Sequence, residues 1–110
     1  MSVLPAMPIG DPVEDASVDT TGEAFLIPTA LNSGAGAVVT QIKIYCSAKC
    51  YVSFNNDASP DATVANRDRA VQQAATEEVY TRAAHRGQGL PYVVVAAASG
   101  TIAVDISYFG

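Results

Sequence analysis

The chain's two cysteines are the first residues to examine for chemistry, because paired thiols can carry out redox reactions or bind zinc. Three residues separate Cys46 from Cys50, and His85 is the only histidine. A closed zinc site needs four Cys or His ligands, so these three residues cannot complete one. A CxxC redox motif needs two intervening residues and a helix N-terminus, and neither is present. We interpret the cysteines as small packing residues. A disulfide and a metal site are the less favoured alternatives.

Two other segments contain residue types found in metal or catalytic sites. "NDASPD" places Asp57, Ser59 and Asp61 at alternate positions, as in a calcium loop, but it lacks that loop's central Gly and closing Glu. His85 has no nucleophile or orienting acid close to it in sequence, and a catalytic base needs both. We therefore predict no metal site in this loop and no catalytic role for His85.

A phosphate loop and a carboxylate pair can also be excluded. "RGQG", residues 86–89, is not followed by the Lys and Ser or Thr of a phosphate loop. Glu77 and Glu78 are adjacent, so on a strand they point to opposite faces and cannot act together. The sequence predicts a protein that is not an enzyme and has no cofactor.

The negative charge is concentrated near the N-terminus. The net charge is −5, and residues 1–23 hold five acidic residues and no basic ones. Residues 24–110 hold six acidic and six basic residues, so they are neutral. This distribution disfavours nucleic acid as a partner, since phosphates attract basic surfaces. It suits a segment that lies on a basic protein surface, or alternatively a solvated tail that keeps the protein soluble.

Alternating apolar residues predict the strands that form the rest of the chain. Residues 38–46 and 50–55 both alternate with a period of two, and we predict a hairpin with Ser47–Lys49 as its turn. Residues 90–98 and 101–109 predict a second hairpin around Ser99 and Gly100. The faces expected to point inward imply two packed sheets. Their core is predicted to contain Ile42, Ile44, Val52, Phe54, Val93, Ile102, Val104 and Ile106.

The remaining segments are less regular. "EAFLIPTALN", residues 23–32, predicts a strand, and Pro28 confines it to a sheet edge or a bulge. For residues 55–89 we favour a polar loop over 55–74 followed by a strand in "TEEVYTRAA". The alternative is a helix that begins at Ser59 and ends at Gly87.

Residues 1–22 contain Pro5, Pro8 and Pro12, which predicts an extended arm without a helix. We therefore expect an arm over residues 1–22 and a single β-sandwich domain over 23–110. The arm's scattered apolar and acidic residues would dock on a partner, and removing residues 1–20 should leave a folded domain. The predicted partner-binding residues are Val3, Leu4, Met7, Ile9, Asp11, Val13, Glu14 and Asp15.

Two segments carry a resemblance to a known class of proteins. They are "KCYVSFNNDASPDAT", a strand that runs into a long polar loop, and "YVVVAAASGTIAVDISYF", the predicted closing hairpin. Over residues 23–110 the chain resembles the small decoration or cement proteins of tailed-bacteriophage heads. The resemblance implies a jelly-roll-like β-sandwich that binds the major capsid protein on the capsid exterior and joins neighbouring capsomers. It also implies a homo-oligomer, a dimer in preference to a trimer, with the arm reaching across adjacent capsid subunits.

Two other classes of function stay open. A phage tail or baseplate adaptor, or a fibre-attachment domain, would have the same fold. A small-ligand or carbohydrate-binding module is disfavoured by the absence of Trp and by an aromatic content of only 7%. No secretory signal is expected, because no basic residue precedes Lys43, and no apolar run is long enough to cross a membrane. We thus expect synthesis in the host cytoplasm, incorporation into the virion, and no membrane partner.

Overall fold

The structure, a computed structural model, describes residues 8–9, 11–28, 39–55, 70–81 and 91–110. Within these ranges all regular secondary structure is β, and no helix occurs. The strands are β1 (Val13–Val18), β2 (Glu23–Leu26), β3 (Gln41–Cys46), β4 (Cys50–Asn55), β5 (Ala70–Gln72), β6 (Thr76–Thr81), β7 (Tyr92–Ala97) and β8 (Ile102–Phe109). The all-β prediction is confirmed.

The strands form two four-stranded antiparallel sheets. Sheet A has the order β1-β8-β3-β6, and sheet B has the order β2-β7-β4-β5. The core lies between them, where the inner residues of both sheets form one buried cluster. Of the eight core residues predicted from the alternation, seven are buried and Phe54 is half-buried against the same cluster.

Both predicted hairpins are wrong. β3 lies in sheet A and β4 in sheet B, so Ser47–Lys49 carries the chain from one sheet to the other. The connection from β7 to β8 also changes sheet, and it contains Gly100 with a φ of 63°. A hairpin and a connection between sheets both place the apolar face of each strand against one core. The alternation is therefore the same in both cases, and only the pairing of distant strands distinguishes them.

The alternation predicted for residues 38–46 holds only within β3. Ile42, Ile44 and Cys46 are buried as expected, but Val39 is buried and Thr40 is exposed, which reverses the predicted faces. The reason is that β3 begins at Gln41, so the two preceding residues do not follow the strand's period.

The strand interpretation of the middle segment is confirmed by β6, which lies within "TEEVYTRAA". Strand β5 lies inside the segment 55–74 that we predicted as a polar loop, so the loop prediction is wrong for Ala70–Gln72. The helix alternative is wrong for residues 70–81, and its expected ends at Ser59 and Gly87 lie outside the described residues. The edge position predicted from Pro28 is confirmed, since β2 is an edge strand of sheet B.

The N-terminal segment is part of the sheet from Val13 onward, which corrects the arm predicted there. β1 pairs with β8, Val13 opposite Ile106 and Val18 opposite Ile102. Five positions separate the two valines, so a regular strand would point them to opposite faces. An irregularity between Asp15 and Val18 adds one residue to β1 and turns Val18 back into the core. Deleting residues 1–20 would remove this strand, so we now expect that truncation to disrupt the fold.

Candidate functional site

The outer face of sheet A has an open depression of about 480 Å³, which we call the acidic depression. All four strands of sheet A contribute residues to the lining of the depression, and so does Pro12, which directly precedes β1. The lining residues are Pro12, Glu14, Lys43, Tyr45, Glu77, Asp105 and Ser107. Their side chains point outward because their neighbours along each strand, such as Ile44 and Ile106, point into the core.

Strand register places four of these residues in one row across the sheet. Glu14 of β1 lies opposite Asp105 of β8, and Asp105 lies opposite Tyr45 of β3. Tyr45 in turn lies opposite Glu77 of β6. The half-buried Tyr45 ring therefore stands between a pair of carboxylates on one side and a single carboxylate on the other.

The charges in this row are only partly balanced. The Nζ atom of Lys43 lies 3.9 Å from the Oε1 atom of Glu77 and 5.6 Å from the centroid of the Phe109 ring. Within the described part of the chain, no cation forms an ion pair with Glu14 or Asp105. Like charges directly opposite each other on neighbouring strands destabilise a sheet. The depression therefore holds two neighbouring exposed carboxylates with no ion-pair partner among the described residues.

The predicted partner-binding residues have several different environments. Val3, Leu4 and Met7 lie outside the described residues. Ile9 is buried and its N–H donates to the Tyr108 carbonyl at 2.8 Å, while Val13 packs against the core. Both therefore serve the fold of this domain. Of the three acidic residues in the set, Asp11 and Glu14 are exposed, Asp15 is half-buried, and only Glu14 lines the acidic depression.

A second pair of acidic residues joins the edge strands of the two sheets. Asp15 lies on the inner side of β1, opposite Val104, and Glu23 lies on the inner side of β2, opposite Val95. The two carboxyl groups influence each other's pKa, and a proton on one of them would allow a hydrogen bond between them. The neighbouring Asp15 carboxyl raises the pKa of Glu23 to about 7, with help from burial and from the charge of Asp19. Glu23 in turn lowers the pKa of Asp15, whose Oδ1 accepts the Ser17 N–H at 2.9 Å.

The cysteines are packing residues of the core, as predicted. Cys46 and Cys50 are both fully buried and free, one at the end of β3 and the other at the start of β4. The Cys46 thiol donates to the Gln73 carbonyl at 3.3 Å. Burial, together with the neighbouring Cys46, raises the pKa of the Cys50 thiol. A neutral, buried thiol is a poor nucleophile.

Other candidates from the sequence do not form a site in the described ranges. Residues 8–9, 11–28, 39–55, 70–81 and 91–110 contain no group of three His, Cys, Asp or Glu side chains able to hold a metal ion. Asp57, Ser59, Asp61 and His85 lie outside these ranges. Glu77 faces the acidic depression while Glu78 lies opposite Ile44 on the other face, so the two do not form a carboxylate pair.

The acidic depression was not predicted from the sequence. Lys43, Tyr45, Asp105 and Ser107 alternate with the core residues predicted in their strands, which implies outward faces, and the structure confirms these faces. It could not show that β8 lies between β1 and β3, which is the arrangement that brings Glu14 and Asp105 together. The excess of acidic residues over residues 1–23 was the one available signal.

No protein-family model matches the chain, and no curated protein matches it either. Among the residues described, no helix is long and apolar enough to span a membrane.

Proposed function

We propose that this protein is a jelly-roll structural protein of a phage virion, which binds the outer surface of the capsid and joins neighbouring capsomers. In this role it acts by contact rather than by catalysis, with the major capsid protein as its partner. It works as a homo-oligomer, a dimer in preference to a trimer, and it enters the virion after synthesis in the host cytoplasm.

The observation that carries the proposal is the strand order. A jelly roll is made of eight strands in two antiparallel sheets, and it occurs in viral capsid and lectin domains. The orders β1-β8-β3-β6 and β2-β7-β4-β5 support this proposal, because a jelly roll packs strands 1, 8, 3 and 6 against strands 2, 7, 4 and 5. A fold alone does not define a function, so the proposed function also needs support from the surface features of this domain.

Two surface features support a contact role. The outer face of sheet A presents carboxylates without a cation from the described residues, which suits a basic protein surface. The second feature is the bridge between Pro8 and Phe109, which ties the start of the described chain to sheet A. We propose that residues 1–7 act as the arm that reaches a neighbouring subunit.

Quantitative mass spectrometry of purified virions tests the proposal. A cement protein should be present in hundreds of copies, comparable to the number of capsomers. A copy number of about a dozen would overturn it in favour of a tail or baseplate adaptor, since those structures have few subunits. Absence from the virion would exclude both structural roles.

Adding the purified protein to capsids that lack it provides a second test. Decoration of the outer surface, with greater resistance of the particles to heat, is the expected result. Failure to bind these capsids would contradict the proposal.

A further inference from the structure

We infer that Cys46 and Cys50 form an intramolecular disulfide when the folded protein meets an oxidant, and that this bond ties sheet A to sheet B at one end of the sandwich. The oxidant is a small-molecule disulfide of the glutathione type. The inference goes beyond the proposed function and does not depend on it, because the bond is a property of the isolated domain.

The two thiols come from opposite sheets and share one core. Cys46 is the last residue of β3 in sheet A, and Cys50 is the first residue of β4 in sheet B. Both residues are 0% exposed and belong to the same buried cluster. The backbone of Ser47–Lys49 links the two strand ends, and both thiols are free. A disulfide would therefore be a second covalent link across the same crossover.

A hydrogen bond shows that the Cys46 side chain reaches the strand ends of sheet B. Its thiol donates to the Gln73 carbonyl at 3.3 Å, and Gln73 directly follows β5. The preceding residue, Gln72, is the register partner of Cys50 in sheet B. The Cys46 sulfur thus lies beside the strand that pairs with Cys50, and it is close enough to help raise the pKa of the Cys50 thiol. The two sulfurs are neighbours on the inner side of the crossover.

Hydrogen bonds hold both ends of this crossover in place. The Ser47 N–H donates to the Ala103 carbonyl at 3.0 Å, and the Ser47 Oγ accepts the Ala103 N–H at 2.9 Å. At the other end, the Lys49 carbonyl accepts the Ala98 N–H at 3.0 Å. A disulfide tolerates only a narrow range of Cα separations, about 4.4–6.8 Å, so its formation depends on strand ends that do not move apart. These contacts with the β7–β8 connection provide that constraint.

The bond forms by thiol–disulfide exchange. The thiolate of one cysteine attacks a sulfur of the small disulfide, so a mixed disulfide forms and one small thiolate leaves. The thiolate of the second cysteine then attacks the protein sulfur of the mixed disulfide, which closes the Cys46–Cys50 bond and releases the second small thiolate. The cysteines lose two electrons and two protons in total, and the small disulfide gains them as two thiols.

Burial controls the rate of this reaction, and the surroundings control its direction. The thiolate is the nucleophile and the oxidant needs access, so the buried thiols react only when this end of the sandwich opens locally. The bond is therefore expected to form over hours rather than seconds. A reducing compartment keeps the thiols free, and an oxidising medium favours the bond.

Equilibration of the full-length protein with mixtures of reduced and oxidised glutathione tests the inference. After acid quenching and alkylation, mass spectrometry should show an unalkylated monomer about 2 Da lighter than the reduced protein, through loss of two hydrogens. This species should unfold about 5 °C above the reduced protein, because the disulfide restricts the unfolded chain. Dithiothreitol should restore the original mass and midpoint, which distinguishes a disulfide from irreversible oxidation.

Cys46→Ala and Cys50→Ala are the matched controls, since each keeps one thiol and removes its partner. Each variant should stay reduced or stop at a mixed disulfide with glutathione, and its midpoint should not rise by this amount. If either variant fails to fold, the comparison of the oxidised and reduced forms of the unmutated protein still decides the question.

Four outcomes overturn the inference: thiols that stay free at a strongly oxidising glutathione ratio, a mixed disulfide that does not close, a disulfide between two copies, or an intramolecular disulfide that lowers the midpoint. The last of these would show that the bond is compatible only with the unfolded chain. None of the measurements involves a capsid. Failure of this inference therefore leaves the cement function standing, and failure to decorate capsids leaves this inference standing.

Discussion

Gln72 is the buried polar side chain that connects the two sheets. It is about 1% exposed, and its Nε2 donates to the carbonyls of Ile44 at 2.7 Å and Thr76 at 3.0 Å. Its Oε1 accepts the Tyr80 hydroxyl at 3.0 Å. Gln72 lies on β5 of sheet B, while Ile44 and Tyr80 lie on strands of sheet A. Both the Nε2 donor and the Oε1 acceptor of the amide are therefore hydrogen-bonded. A buried polar group adds to stability when its hydrogen bonds are satisfied in this way.

Gln72→Ala should therefore lower the free energy of unfolding by about 2–4 kcal/mol, because it removes three hydrogen bonds and leaves a cavity in the core. Gln73→Ala is the matched control, since Gln73 is exposed and contributes its backbone carbonyl, which alanine retains. Urea denaturation measures both variants. Equal losses in the two would contradict the role assigned to the Gln72 side chain.

Replacement by phenylalanine is expected to have opposite effects on stability at the two buried tyrosines of sheet A. Tyr80 donates its hydroxyl proton to Gln72, whereas the buried Tyr108 hydroxyl has no hydrogen-bond partner among the described residues. Burial raises the pKa of Tyr108 to about 12. Tyr80→Phe should cost about 1 kcal/mol, and Tyr108→Phe should stabilise the protein by about 1 kcal/mol through loss of an unsatisfied polar group.

Thermal unfolding of both variants in the same buffer tests this contrast. A lower midpoint for Tyr108→Phe than for the parent protein would show that the hydroxyl has a partner that stabilises it.

At the level of elements, the edge strands β1 and β2 are joined by the Asp15–Glu23 carboxyl pair. The pKa of Glu23 rises from an ordinary value of 4.5 to about 7 on folding. A raised pKa means that the folded protein binds the proton more tightly than the unfolded chain, so this contribution to stability is present below 4.5 and is lost as the pH rises through 7. The lowered pKa of Asp15 acts in the opposite sense, and its contribution is lost as the pH falls below its ordinary value of 3.8.

We predict that the unfolding midpoint falls as the pH rises between about 5 and 8, the window in which Glu23 loses its proton in the folded protein. Glu23→Gln, which keeps a hydrogen-bond donor without a titratable proton, should reduce this slope. Asp15→Asn should also reduce it, because the substitution removes the carboxylate that raises the pKa of Glu23. Thermal unfolding in matched ionic strength measures the slopes, and an unchanged slope in Glu23→Gln would rule out this pair as its source.

At the level of the whole molecule, β1 shows where the domain begins. It is an edge strand of sheet A, and it covers β8, whose inner residues form the centre of the core. Pro8 and Ile9 extend this contact through a bridge to Phe109 and a backbone hydrogen bond to Tyr108. A truncation that spares the domain must therefore end before Pro8.

Deleting residues 1–7 should leave cooperative unfolding with a similar midpoint, and deleting residues 1–20 should abolish it, because the longer deletion exposes the edge of β8. Circular dichroism during heating compares the two truncations. If the deletion of 1–20 unfolds like the full chain, β1 is dispensable and the domain begins later than the structure indicates. Capsid binding by the shorter truncation then measures what residues 1–7 contribute as an arm.

The sequence by itself determined which residues of β3 and β8 face the core. Ile42, Ile44, Val104 and Ile106 could be assigned because the period of a strand is a local property, set by the backbone of each segment. The strand in residues 76–81 and the edge position of β2 follow from equally local signals, namely side-chain type and a proline.

Only the tertiary structure decided which strands pair. The connection at Ser47–Lys49 could close a hairpin or cross between sheets, since both satisfy the same alternation. The choice depends on contacts between residues distant in the chain, such as Val13 of β1 with Ile106 of β8. The acidic depression has the same origin: Glu14 and Asp105 become neighbours because the last strand pairs with the first, and no local pattern contains that information.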